Sequence, residues 1–131
     1  MEAVVAMVIC TIGLVSLAEL MAVTIRMQQL SQNSTHAVRL AQDKIDELTT
    51  LSFVTAPAVQ CGGSLTANVA NFNDAPASGP GYARRWLVAA GPDGDLNLRT
   101  VTVRVIPDVN DRRTASPYDL TTIIRGLAVA C

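Results

Sequence analysis

The sequence predicts an α+β protein, in which one long N-terminal helix precedes a small antiparallel sheet of three or four strands. The chain has 131 residues, of which 50% are hydrophobic and only 16% are charged. In water-soluble domains about a quarter of all residues are charged. The lower charged fraction of this chain therefore indicates a segment that faces lipid or other apolar helices. The aliphatic surplus lies in residues 1–25, and residues 14–56 contain neither glycine nor proline. A chain of 131 residues allows one domain with an appendage.

The N-terminal segment is apolar enough to cross a membrane. Residues 3–18 carry no charge, and the apolar run resumes after Glu19 until Arg26 closes it. At about 1.5 Å per residue, a helix of this length spans a bilayer. A cleavable signal peptide would begin with basic residues, whereas this chain begins with the acidic Glu2. A buried core helix is disfavoured because no other segment is apolar enough to surround it. Residues 1–25 are therefore predicted to form a transmembrane or filament-core segment.

The helix is predicted to continue to residue 51 with an amphipathic second half. Apolar residues recur there at spacings of three and four, which places them on one helix face. The opposite face carries acidic residues together with Arg39 and Lys44. Asp43 and Glu47 are like charges one turn apart, so this face is predicted to be solvated rather than salt-bridged. The apolar stripe consists of Ala37, Ala41, Ile45, Leu48 and Leu51.

Residues 52–131 predict a β-rich head. Apolar and polar residues alternate in four stretches, the first of them weakly, and turn-forming Gly, Pro, Asn and Asp separate the stretches. A sheet this small needs a cover on one face, and the apolar stripe of the helix is the natural lid. The helix before residue 37 is then expected to protrude. The predicted strands are residues 64–72, 82–90, 96–106 and 118–129.

The sequence contains three cysteines, Cys10, Cys61 and Cys131. Cys10 lies inside the apolar run, where a cysteine is most simply a small hydrophobic residue. Pairing Cys61 with Cys131 would tie the two ends of the head together and stabilise it by about 4 kcal/mol. That disulfide would imply an oxidising compartment. The alternatives are a free or lipidated Cys131, although the final residues do not fit a prenylation box.

No enzyme, cofactor or metal centre is predicted. His36 is the only histidine, and no catalytic Ser/His/Asp, Cys/His or zinc-binding pattern is present. Asp93, Asp95 and Asn97 match the start of a calcium loop, but the later glycine and glutamate are missing, so a hairpin turn explains them better. The net charge of −1 argues against generic nucleic-acid binding. No small-molecule substrate is evident.

Glu2 is the most unusual charge of the chain. A carboxylate carried to the bilayer centre costs roughly 2.5–3.5 kcal/mol. The nearest basic residue, Arg26, lies about 36 Å away along a helix. The possible partners are the N-terminal amine of the same or a neighbouring chain, lipid headgroups and water. Pairing with a neighbour would fix the axial offset between subunits. Alternatively, Glu2 simply marks the membrane boundary, and the residues leave both interpretations open.

The first twenty residues resemble the start of a mature type IV pilin-like protein, with an acidic residue before an aliphatic helix that contains Ile-Gly-Leu at residues 12–14. The segment LAQDKIDELTTL resembles the helix that packs on the head in minor pilins and type II secretion pseudopilins. The predicted strands around Trp86 and at residues 100–103 are typical of the heads of that group. The resemblance implies a pilin-like lollipop that forms filaments from copies of itself or related subunits. It also implies a bacterial inner-membrane protein that later enters a cell-surface pilus or periplasmic pseudopilus.

The resemblance also assigns roles to individual residues. Glu2 takes the place of the assembly glutamate, but only Met1 and Glu2 remain of the family pattern Phe-Ser/Thr-Leu-Ile/Leu-Glu, so the cleavage and methylation residues are not carried over. A disulfide at the end of the head is common in the family, which supports Cys61–Cys131. The rival expectation is a single-span membrane protein whose head binds a partner without forming filaments. The expected assembly residues are Glu2, Ala3, Val4, Val5, Met7, Val8, Ile12, Leu14 and Leu17.

Overall fold

The computed structural model describes residues 2–77, 81–92, 95–107 and 116–126. Its first element is the helix α1, Glu2–Thr50, of 49 residues, which confirms the predicted long helix. A short 3-10 turn, Pro57–Val59, follows it. The chain divides into two compact units, Met1–Asn33 and Ser34–Cys131, which are described separately below.

The first unit is an exposed stretch of α1. Every residue from 2 to 32 is exposed, although most of the side chains are aliphatic. The hydroxyl groups of Thr11, Ser16 and Thr24 donate hydrogen bonds to backbone carbonyls three or four residues earlier, at 2.8–2.9 Å. Because these bonds satisfy the hydroxyl donors within the helix, the three side chains add no unsatisfied hydrogen-bond donor to its apolar surface.

The second unit contains an antiparallel sheet with five strands among the residues that the structure describes. The strands are β1 Gly62–Gly63, β2 Asn73–Asp74, β3 Tyr82–Ala90, β4 Leu98–Pro107 and β5 Tyr118–Arg125. The long strand β3 pairs with β4 on one side and with both of the two-residue strands, β1 and β2, on the other. The strand β5 pairs with the far edge of β4. The α+β class is thus confirmed, with three long strands at predicted places and two short strands that were not predicted.

One hydrophobic cluster joins the helix stripe to the inner face of the sheet, as the alternation predicts. Alternate residues of β3 and β4 are buried, and so is Ile124 of β5. Of the stripe, Ala37, Ala41 and Leu48 are buried, while Ile45 and Leu51 pack against the cluster half-buried. The lid that the small sheet requires is therefore the second half of α1. The fully buried side chains of β3 and β4 are Val88, Val101, Val103 and Val105.

The strand predicted at residues 64–72 is wrong. Only the residues that flank this segment, in β1 and β2, pair with β3. The Ser64 hydroxyl oxygen accepts hydrogen bonds from the backbone amides of Thr66 and Ala67, each at 3.2 Å, and this local turn competes with strand pairing. Asn71 has a left-handed backbone with φ of 69°. These two turns fold the segment away from the ladder.

Gly63 in β1 is required by close packing. Its φ is 95°, a region that residues with a side chain rarely adopt. A Cβ atom at this position would overlap the backbone carbonyl oxygen of Trp86 and the ring of Phe72. The glycine thus lets β1 approach the most buried part of β3.

Candidate assembly surface and the polar core of the head

The expected assembly residues lie together on the exposed part of α1. All nine are exposed, and the large apolar side chains between Val4 and Leu17 are 52% to 71% exposed. Within the part of the chain that the structure describes, this helix is the one long and apolar enough to cross a membrane, and no part of its most apolar window is buried. We name residues 2–32 the apolar segment.

A helix with this many exposed apolar side chains needs an external cover. Lipid tails and the side chains of other apolar helices are equally suitable, because both lack hydrogen-bonding groups. Glu2 lies in the first turn, where a negative charge interacts favourably with the helix dipole by about 0.3–1 kcal/mol. No ion pair between Glu2 and another described residue is present.

The polar core of the head is a cluster of two buried cations around one carboxylate. The guanidinium of Arg84 donates to both carboxylate oxygens of Asp74, at 2.7 and 2.8 Å. Lys44 Nζ lies 3.0 Å from Asp74 Oδ2 and 2.9 Å from Glu47 Oε1. The same ammonium group lies 4.3 Å from the centroid of the Trp86 ring, within the range of a cation–π interaction. We name Lys44, Asp74 and Arg84 the buried triad.

The buried triad corrects the prediction for Lys44. Lys44 is only 4% exposed and forms an ion pair with Glu47, whereas the acidic residues of the polar face are exposed as predicted. Arg84 is 8% exposed and also donates to the Leu40 carbonyl at 3.5 Å. Buried charges require such partners, since an unpaired charge in a low-dielectric interior is strongly unfavourable. The triad links the second half of α1 to β2 and β3.

Two opposing effects set the pKa of Asp74. Burial alone would raise the pKa, but hydrogen bonds from Arg84 and Lys44 and the positive charges of both outweigh it and hold the pKa below its usual value of 3.8. At the sheet surface, hydrogen bonds from Arg104, at 2.6 Å to each carboxylate oxygen, likewise lower the pKa of Asp119. Both aspartates are therefore ionised at neutral pH.

The stability of the head is expected to decrease in acid partly through Asp74. A carboxyl group with a lowered pKa in the folded state stabilises it above the unfolded pKa, and the contribution is lost as pH falls through the folded pKa. The urea concentration at the midpoint of unfolding, followed by Trp86 fluorescence, should therefore decrease as the pH falls below about 4. Asp74→Asn should make this decrease shallower. Parallel pH profiles for the two proteins between about pH 2 and 6 would contradict the assignment.

Two further arginines have structural partners. Arg85, on the opposite face of β3 from Arg84, donates to Asn68 Oδ1 at 2.7 Å and to the Thr66 carbonyl at 3.1 Å. Arg99 is 3% exposed, donates to the Val59 carbonyl and lies 5.2 Å from the Phe53 ring centroid. These contacts occupy the guanidinium groups within the fold. Strand alternation could have located Arg84 and Arg99 inside, because each lies an even number of residues from a buried valine of the same strand and therefore on the same face of the sheet.

The weak calcium candidate behaves as a turn where the structure describes it. Asp95 Oδ1 accepts hydrogen bonds from the backbone amide of Asn97 at 2.9 Å and from its side-chain amide at 3.1 Å. The segment connects the antiparallel strands β3 and β4, which confirms the hairpin, while Asp93 lies outside the described residues. Among the described residues, no group of three or more His, Cys, Asp or Glu side chains could hold a metal ion.

The cysteines and the histidine complete the candidate residues. Cys10 is exposed and free, whereas Cys61 is half-buried and is not a free thiol. Cys131 lies outside the described residues, so the Cys61–Cys131 pairing stays a prediction. His36 stacks on the Tyr82 ring, with 5.4 Å between centroids.

No protein-family model, curated protein or solved structure matches the chain.

Proposed function

We propose that the protein is a structural subunit of a type IV pilus-like filament or pseudopilus and assembles through its apolar segment. One observation carries the proposal: residues 2–32 form a helix in which every residue is exposed, although residues 3–25 carry a single charge, Glu19. The α+β class of the chain and the resemblance of its first residues to mature pilins support it. A filament core would bury this segment against identical or related helices.

The same segment would anchor the subunit in the bacterial inner membrane before assembly. A helix surface that suits lipid also suits other apolar helices, so the subunit can exchange one environment for the other. The partners are then the cytoplasmic membrane and afterwards other copies or related pilin subunits. The protein would act without enzymatic activity or a cofactor.

Imaging of surface filaments from cells that produce the chain tests the proposal. Helical filaments with this chain at each lattice position would support it and would identify a main subunit, whereas its presence only at intervals or at tips would identify a minor one. A chain that stays dispersed in the membrane, with no filament containing it, would instead favour the rival function of a membrane-anchored binding module. The exposed apolar helix alone is compatible with that rival.

Glu2→Ala is expected to leave membrane insertion intact and to impair filament assembly. The substitution removes a carboxylate whose pairing with a neighbouring N-terminal amine would set the offset between subunits, while the apolar length of the helix is unchanged. Membrane fractionation measures insertion, and electron microscopy measures filament length and number. Asp119→Asn, which changes an exposed carboxylate on the head, is the control. Filaments of normal length and number from the Glu2 variant would refute the pairing role.

The head is further proposed to carry the disulfide Cys61–Cys131. Mass spectrometry of the non-reduced chain after proteolysis should find one cross-linked peptide that joins these two cysteines, with Cys10 as a free thiol. The same peptide should disappear on reduction. Detection of all three cysteines as free thiols in protein from an oxidising compartment would contradict the pairing.

A further inference from the structure

The strand β5 lies at the edge of the sheet, since within the residues that the structure describes it pairs with β4 alone. Its eight residues, Tyr118–Arg125, contain no proline or lysine, and its register with β4 runs without a bulge. Those are the common means by which an edge strand is protected from pairing with another chain. Residues 121–124 are all β-branched, which favours an extended backbone. Such an edge is a template for a further strand.

Alternate residues of β5 direct their backbone groups to the outer edge. The Gly126 amide donates to the Asn97 carbonyl at 2.8 Å, which continues the β4–β5 register by one position. Successive residues of an antiparallel strand direct their N–H and C=O groups to opposite sides, so the even-numbered residues of β5 bond to β4. The odd-numbered residues direct theirs to the outer edge, and their side chains lie on the exposed face of the sheet. These edge residues are Asp119, Thr121, Ile123 and Arg125.

We propose that the head of a second copy of this chain docks on this edge, with the two β5 strands antiparallel and Asp119 opposite Arg125 of the second copy. The edge residues then exchange backbone hydrogen bonds, Asp119 with Arg125 and Thr121 with Ile123. Each end of the paired strands carries one charge of each sign. The contact is a closed, two-fold dimer. It goes beyond the proposed function, because it uses the head alone and does not depend on filament formation.

The side chains on the inner face of β5 fit the same register. Leu120 packs half-buried against the hydrophobic cluster, and Ile124 belongs to that cluster. In the proposed pair Leu120 lies opposite Ile124 of the second copy, which continues the apolar inner face from one sheet to the next. Thr122 lies on the two-fold axis, opposite its own counterpart, and facing threonines form a favourable cross-strand pair. The strand is therefore self-complementary in backbone, charge and apolar side chains.

The charges select this register among those that match the backbone groups. A shift by two residues places Asp119 opposite an uncharged residue or beyond the end of the other strand, and parallel strands would bring like charges together. Asp119 accepts two hydrogen bonds from Arg104, but a carboxylate has lone pairs for a further donor. The two-fold axis is normal to the sheet, so the segments of α1 that cover the two sheets run in opposite directions. The contact therefore differs from packing between parallel helices.

A single cysteine on the two-fold axis tests the register. The full chain with Cys10→Ala and Thr122→Cys is purified in detergent and oxidised. In the proposed pair the two Cβ atoms at position 122 face each other at about 4.5–5.5 Å, so a small shift allows a disulfide. Mass spectrometry of non-reduced peptides should find position 122 joined to its counterpart about fivefold more than in chains with Thr121→Cys or Ile123→Cys, whose counterparts lie diagonally at about 7–8 Å. Chains with Cys10→Ala alone are the background control.

Two substitutions show whether the edge and its charges hold the dimer. Thr121→Pro removes an N–H group that points to the outer edge and none that bonds to β4. Arg125→Glu places like charges opposite each other at both ends. Each should raise the dimer dissociation constant of the full chain in detergent, measured by analytical ultracentrifugation, about tenfold. The urea midpoint of unfolding, followed by Trp86 fluorescence, should stay unchanged and so exclude misfolding. Gln60→Glu, which adds a charge at an exposed position of the head, is the control.

Three results would overturn the inference. The first is an unmodified chain that stays monomeric, which would leave the edge of β5 to a strand of another protein. The second is a cross-link at position 121 or 123 as abundant as that at position 122. The third is a dimer whose dissociation constant is unchanged by Arg125→Glu, as expected if the apolar segments alone associate in detergent.

Discussion

Trp86→Ala is expected to lower the free energy of unfolding of the head by about 3–5 kcal/mol. The Trp86 side chain is 3% exposed in the centre of β3, and its Nε1 donates a hydrogen bond to the Ala58 carbonyl at 2.8 Å. Its ring lies 6.4 Å from that of Phe72 and next to the ammonium group of Lys44. Truncation would leave a cavity, would remove the hydrogen-bond donor of the Ala58 carbonyl and would remove the aromatic ring that Lys44 contacts. The total free energy of unfolding of a native domain is about 5–15 kcal/mol, so this loss would be a large part of it.

Trp86→Phe separates the packing of the ring from its hydrogen bond. Phenylalanine retains most of the apolar surface but leaves the Ala58 carbonyl without its donor, which costs about 1–3 kcal/mol. Pulse proteolysis of the full chain across a urea series, in detergent, measures the folded fraction without the tryptophan signal. The alanine variant should be the less stable of the two. An alanine variant within about 1 kcal/mol of the wild-type protein would show that the ring does not organise the core.

The elements that the sequence predicts correctly are those with a strong local signal. The helix α1 follows from an aliphatic run and from the absence of proline and glycine between residues 14 and 56. The strands β3 and β4 follow from alternation, because a side-chain period of two separates the faces of a sheet wherever one face is buried. The weak alternation of residues 64–72 fails, since a strand also needs a partner in register. Here β3 pairs with the flanking residues instead.

The buried triad shows why the polar core is harder to predict. Lys44 lies three residues after Ala41 and four before Leu48, so its spacing places it on the buried stripe, but its charge suggests the solvated face. Its partner, Asp74, lies 30 residues further on, in a segment without a clear pattern. A buried lysine is favourable only when such a partner exists. Local periodicity contains no information about a contact at that distance along the chain.

Asp74→Asn is expected to destabilise the head by roughly 3 kcal/mol, the lower end of the range for breaking a buried ion pair. The substitution would leave Lys44 and Arg84, which are 4% and 8% exposed, without the carboxylate that lies between them. Asparagine preserves the shape but offers one neutral acceptor oxygen and an amide that repels the cations. The Asp74 side chain is itself 29% exposed, and water that enters there limits the loss.

Asp119→Asn is the matched control for this prediction. Asp119 also accepts two hydrogen bonds from an arginine on the adjacent strand, Arg104, but these side chains are 41% and 25% exposed. Solvent screening limits such pairs to about 0.2–1 kcal/mol. Urea unfolding followed by Trp86 fluorescence should therefore separate two aspartates with the same bidentate geometry. Equal losses would show that burial of the triad adds nothing, whereas a larger loss at Asp74 would reflect the burial of its site together with its second cation, Lys44, because the bidentate contact with an arginine is the same in both.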